Sequence, residues 1–237
     1  MAYPTINGPY GLRPINLIGG QVFAGSTRNM EIAVGYSENI FFGDFVKRVV
    51  GGTIEKDTGT TANTPCGVFL GCFYTAANGT PTRSQYYPDA ISVAAGTKIY
   101  AIVADDPDTL FQVAVCSSGV VMATVTQNAI GTNMSILATA GSTLNGNSAY
   151  SVLSSSPAST NTFPVRVIDV VPATSPTPTT YCEVIVKINF GIHQYNNATG
   201  LAYAYKEQLN GYFTRTTTER VAPRTECIVR FGVRSLW

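Results

Sequence analysis

The sequence predicts an all-β fold: two small β-barrel or sandwich domains, with an extended N-terminal arm before them and a C-terminal extension after them. Three observations predict it. Apolar runs are short and stop every few residues at Gly, Asn, Asp or Pro. Gly, Thr, Ser, Asn and Pro are abundant, whereas only 12% of residues are charged. No long helical period survives among the glycines. With 237 residues, 45% of them hydrophobic, the chain has enough apolar material for a sizeable core.

Residues 1–28 form the arm. Pro4, Gly8, Pro9, Gly11, Pro14, Gly19, Gly20 and Gly25 exclude helix there, while Ile15, Leu17, Ile18, Val22 and Phe23 supply apolar side chains too few for a core of their own. Such a segment lies across another subunit's surface or forms an edge strand on its own domain.

Residues 29–118 are read as the first barrel. Its expected strands are 30–34, 40–42, 45–50, 53–56, 66–74, 98–105 and 110–114. Gly43-Asp44 and Gly51-Gly52 sit at hairpin distance between apolar runs, where glycine's access to positive φ allows a tight turn. Residues 76–88, with Asn78-Gly79, read as a longer loop. Asp105, Asp106 and Asp108 share one turn with Pro107; an EF-hand would need alternating ligands, a central Gly and a distal Glu, so a solvated turn is the expectation.

Residues 119–190 are read as a second β domain with strands at 120–126, 136–138, 149–153, 165–171 and 183–190. The segments SSSPASTNT (154–162) and PATSPTPTT (172–180) are too polar and Pro-rich for a core and are expected as exposed loops. The extension, 191–237, carries a mild basic bias from Lys206 onward and a short helix near 202–209.

Net charge of +1 gives no field to steer DNA or anionic lipid, so neither direct nucleic-acid binding nor membrane binding is expected. The N-terminus lacks a signal-like basic and apolar pattern, and no run of 18 apolar residues is present. Cys66, Cys72, Cys116, Cys182 and Cys227 are odd in number and widely spaced, which predicts buried thiols, no zinc site and no cofactor. The sole histidine, His193, lies in a Tyr/Asn-rich stretch without a nucleophile elbow. Glu31, Asp44, Glu55 and Asp169 are the carboxylates from which a glycosidase pair would have to come, and Phe41, Phe42, Phe45, Phe69, Phe73, Tyr86 and Tyr87 the aromatics that would line a carbohydrate groove. A structural role for the carboxylates and a place in the core for the aromatics are the expectation, so no enzyme is predicted.

The stretches FGDFVKRVVGGTIEKD and PCGVFLGCFYT, within 42–75, resemble the small β-barrel decoration (cement) proteins of tailed phages, including the lambda-type capsid stabilisers. In that family a G-D-x-V turn leads into a strand and a later G-V strand closes the barrel, after an extended N-terminal arm. Gly43, Asp44 and Val46 match the first element, and Gly67 and Val68 the second. The segments NGPYGLRPINLIGG, ADDPDTLFQV, FPVRVIDV and VKINFGIHQYNNATG are also similar to virion structural proteins of marine and cyanobacterial phages. The resemblance implies a non-enzymatic trimer on the outer surface of a phage head, seated where major capsid proteins meet. It makes Arg13, Ile15, Leu17, Ile18 and Phe23 the expected partner contacts. The alternatives are a head–tail adaptor or tail subunit, or a virion-exposed carbohydrate-binding module.

Overall fold

The computed structural model describes residues 6–59 and 63–189. The expected features of the C-terminal extension (His193, Cys227, the basic bias and the short helix) lie outside the described residues.

The fold is all-β. After β1 (Arg13–Leu17) come β2 (Arg28–Ile32), β3 (Phe45–Arg48), β4 (Ile54–Lys56), β5 (Gly67–Thr75), β6 (Pro81–Ser84) and β7 (Ile99–Ala104). These last six make one sheet in the order β3-β4-β2-β7-β5-β6, and β3 also pairs with β5, which curls the sheet into a nearly closed barrel. The Gly51-Gly52 turn joins β3 to β4 as expected, with the Val49 amide donating to the Thr53 carbonyl at 3.0 Å and Gly52 at φ +80°.

The second half adds β8 (Thr109–Ser118), β9 (Val121–Met122), β10 (Val125–Thr126), β11 (Asn133–Met134), β12 (Ile136–Leu137), β13 (Ser151–Leu153), β14 (Val165–Val170), β15 (Thr180–Tyr181) and β16 (Glu183–Ile188). The larger sheet runs β11-β14-β16-β8-β13-β12, with β1 and β9 also on β8, and β10 pairs separately with β15. Residues 110–114, expected in the first barrel, belong instead to β8, the central strand of the larger sheet, bonded to β16 over Leu110–Ala114. Its alternating pattern gives it a buried face but does not name the sheet that supplies it.

The two sheets share a core. Adjacent residues of a strand face opposite ways, and in β3, β5 and β7 both faces are covered. Val46, Phe69 and Val103 point into the barrel with Met30, Ile54 and Ile99, while Phe45, Val68 and Ala104 pack with Tyr150 and with Phe111, Val113 and Val184 of the larger sheet. This double burial is why residues 67–73 form an almost unbroken apolar run where a one-sided strand would alternate.

Two sequence expectations change. Gly43-Asp44 is a tight turn, with the Asp44 amide donating to the Phe41 carbonyl at 3.0 Å and Gly43 at φ +96°, but the runs flanking it do not pair as a hairpin. Ile40 instead bridges Tyr87, and Phe42 bridges Asn147. The 76–88 loop contains a real hairpin: Asn78-Gly79 turns the chain between β5 and β6, whose Phe73 and Arg83 are register partners.

Candidate interaction surface

The arm is laid on its own domain. β1 pairs antiparallel with β8, Arg13 opposite Gln112 and Leu17 opposite Thr109. Leu12, just before it, is fully buried in the shared core. Beyond β1 the chain turns back on itself. The Leu17 amide donates to the Gln21 carbonyl at 2.8 Å, and Asn16 bridges Val22. Phe23 packs against the core and Ile15 and Leu17 are half-buried, whereas Ile18 is 49% and Val22 75% exposed. Of the five expected partner contacts, Arg13 and Ile18 are thus open to solvent. Val22 joins them because the turn places it beside the β1 edge, a neighbourhood that its position in the sequence does not display.

The arm is anchored by a buried carboxylate. Glu183, 2% exposed on β16, accepts hydrogen bonds from the Tyr10 hydroxyl, the Thr174 hydroxyl and, at 2.9 Å, the Gln112 amide. Burial, with the Glu183 charge adding to it, drives the Tyr10 hydroxyl well above its ordinary pKa, so it stays a donor. The Arg13 guanidinium lies 4.8 Å from the centre of the Tyr10 ring, a cation–π contact.

Where the arm meets the barrel, two backbones approach closely. A Cβ on Gly11 would stand 2.6 Å from Ser148 Cβ and 3.0 Å from Gly43 Cα, and both glycines have positive φ. The Leu12 amide donates to the Gly43 carbonyl at 3.0 Å, and the Gly11 amide to the Tyr150 carbonyl at 3.2 Å. Behind this seam the Asp44 carboxylate, fully buried, is 3.0 Å from the Lys56 ammonium and accepts the Phe41 amide at 2.9 Å. The ammonium also faces the Phe41 and Tyr150 rings at 5.2 and 5.4 Å. Desolvation nevertheless raises the Asp44 pKa, the ion pair opposing it only in part.

The carboxylates considered for catalysis are dispersed. Glu31 pairs with Lys98 at 2.7 Å, Asp44 is the buried partner of Lys56, Glu55 lies on β4, and Asp169 is exposed at a bulge in β14. The Asp-rich turn is held by other contacts. Asp105 pairs with Arg28 at 3.0 Å, Asp108 with Lys187 at 2.8 Å, and Asp106 accepts the Asp108 amide at 2.9 Å. Among the described residues no three His, Cys, Asp or Glu side chains converge to hold a metal, and no helix is long and apolar enough to cross a membrane. Cys66, Cys72, Cys116 and Cys182 are buried free thiols.

Phe45, Phe69 and Tyr87 are fully buried and Phe41 nearly so, so they form core instead of a carbohydrate groove. Phe73 differs: it stacks on its cross-strand partner Tyr100 with ring centres 5.3 Å apart, in a shallow open depression of about 400 Å³ shared with Tyr74, Arg83 and Lys98. A neighbouring depression of about 440 Å³ lies between the arm and the barrel, with Arg13 and Arg83 in its lining. No known protein family, curated protein or solved structure matches this chain.

Proposed function

We propose that this chain is a structural subunit of a virus particle, a decoration protein that stabilises a phage head by binding across junctions of the major capsid protein as a trimer. The observation that carries the reading is the use of the family-like motif. Gly43-Asp44 turns the chain into β3, and the Gly67-Val68 pair lies directly opposite that strand, with Phe45 facing Val68 and Val46 facing Gly67. The two halves of the motif are therefore the register partners that close the barrel, which is the role the resemblance gives them. The exposed Ile18 and Val22 beside the β1 edge supply apolar anchors for a neighbouring subunit, and repetition over a shell multiplies weak contacts.

The test is co-sedimentation of the purified full chain with phage heads lacking it, together with copy number per particle by quantitative mass spectrometry. Saturable binding at a copy number matching the capsid lattice supports the reading. Failure to co-sediment, or turnover of a substrate by the isolated chain, defeats it. A copy number of one small ring per particle would favour the head–tail adaptor or tail subunit instead. A second reading, a virion-exposed carbohydrate-binding module, draws on the half-buried Phe73–Tyr100 stack, which lines an open depression together with Arg83 and Lys98. Glycan-array binding lost in Tyr100→Ala would support it.

A further inference from the structure

The depression between the arm and the barrel has both Arg13 and Arg83 in its lining. Arg13 comes from the start of β1 and Arg83 from β6, so two different sheets place two arginines around one space. Phe42 and Leu70 give it apolar lining, and Gln85 and Asn147 add neutral amides, joined by a 2.9 Å hydrogen bond from the Gln85 amide to the Asn147 carbonyl oxygen. Among the described residues no carboxylate lines it. Both arginines are exposed, and neither is in an ion pair among the described residues, where Arg28, Lys56, Lys98 and Lys187 each have a carboxylate within 3.0 Å. Arg13 has only the Tyr10 ring, and Arg83 has no polar partner there.

Two arginines without counter-charge, beside amides and an apolar patch, match a side-chain carboxylate on a short aliphatic stem. Each guanidinium offers a planar fork of N–H donors, the amides add neutral hydrogen bonds, and the apolar lining takes the methylenes. A phosphate backbone would need a longer cationic track than this single depression supplies, and the net charge of +1 provides no wider field toward it. We propose that this depression docks an acidic polypeptide segment of a neighbouring subunit, with Arg13 and Arg83 gripping its carboxylates. The inference adds a second contact, with its partner chemistry, to the apolar anchors Ile18 and Val22 and rests on the reading of the chain as a subunit of an assembly.

The experiment measures binding of a labelled, acetylated hexaglutamate peptide to the full chain by fluorescence anisotropy. Hexaglutamine serves as the neutral control, and a single-stranded oligonucleotide and inorganic phosphate serve as competitors. Arg13→Gln and Arg83→Gln should each weaken hexaglutamate binding about tenfold, and the double variant further, as expected for the loss of a charge-assisted hydrogen bond. Arg48→Gln, on the β3–β4 hairpin outside the depression, should leave it unchanged. Unaltered near-ultraviolet circular dichroism will show that the exposed arginine variants are folded. Absence of hexaglutamate binding, an equal loss in Arg48→Gln, or equally effective competition by oligonucleotide or phosphate would overturn the proposal. The same variants are then co-sedimented with phage heads. If wild type and the double variant bind alike, the docking role falls and the decoration reading survives. If wild type does not bind heads but the peptide result holds, the decoration reading falls and the acidic-segment site stands.

Discussion

The Tyr150 hydroxyl, carried by the larger-sheet half of the chain, donates a 2.8 Å hydrogen bond to the backbone carbonyl of Asp57 at the end of the barrel strand β4. Both the ring and the carbonyl side of this contact are buried, and burial holds the phenol far above its ordinary pKa, in its donating form. This bond ties the larger-sheet half of the chain to the barrel.

Removing that hydroxyl should therefore cost more than a surface hydrogen bond. Tyr150→Phe keeps the ring in place but leaves the Asp57 carbonyl unpaired, with an expected loss of about 1–3 kcal/mol in unfolding free energy. Urea denaturation followed by circular dichroism measures it. A midpoint equal to wild type at the same slope would show that the bond contributes nothing.

The Gly11–Gly43 approach makes a second prediction. At Gly43 a Cβ would lie 2.9 Å from the Leu12 backbone nitrogen, and the φ of +96° is strained for any L side chain. Gly43→Ala should lose at least about 2 kcal/mol. Gly119 also has positive φ, +49°, but its Cβ would meet nothing within 4 Å. Gly119→Ala should thus cost only about 1 kcal/mol of strain, and the gap between the two variants isolates the steric part.

Much of this arrangement can be read from the sequence, and the remainder resists for definable reasons. The Gly51-Gly52 hairpin is local, so its turn residues and flanking runs identify it. β6 escapes because Pro81, Thr82, Arg83 and Ser84 look like loop; a sheet-end strand needs neither an apolar face nor a full set of amide donors. The Gly43-Asp44 turn is legible, but its partners are not, since Phe42 meets Asn147 from a distant loop. The apolar arm is evident from composition, yet nothing local distinguishes docking on a neighbour from pairing with β8. No sequence signal connects Arg13 with Arg83, because only the placement of β1 and β6 brings them to one depression.

Because burial raises the Asp44 and Asp57 pKa values, the folded chain holds those protons more tightly than the unfolded chain. Their contribution to stability is complete below the unfolded carboxylate value of about 3.9 and is lost as pH rises through the folded values. Lys56→Met sharpens the effect by removing the cation that opposes the Asp44 shift. At pH 7 this variant should be about 3–5 kcal/mol less stable than wild type. The deficit should shrink as pH is lowered toward 4 and Asp44 takes up a proton. Chemical denaturation of both proteins at pH 7, 6, 5 and 4 follows it, and a deficit independent of pH would contradict the assignment.

Burial also pushes the Cys66 and Cys72 thiols up to about 12, and Cys116 is raised by the same cause. Thiolate is the reactive form, so Cys66, Cys72 and Cys116 should resist iodoacetamide at pH 8 in the native protein and react fully in urea. Peptide mass spectrometry reads each site separately, and rapid native labelling of Cys66 would show that its part of the barrel opens readily.

The arm's place on β8 changes how its role must be tested. Deleting residues 2–25 would remove β1 together with the fully buried Leu12, so lost binding could reflect a damaged core as easily as a lost contact. Ile18→Asp and Val22→Asp avoid this, because both side chains are largely exposed and a polar replacement there should shift stability by no more than about 0.5 kcal/mol. If these residues anchor the chain to a neighbouring subunit, the double variant should retain the wild-type urea midpoint but lose at least about tenfold in affinity for phage heads, since a charge would enter a desolvated apolar contact. Undiminished co-sedimentation would move the contact away from the arm.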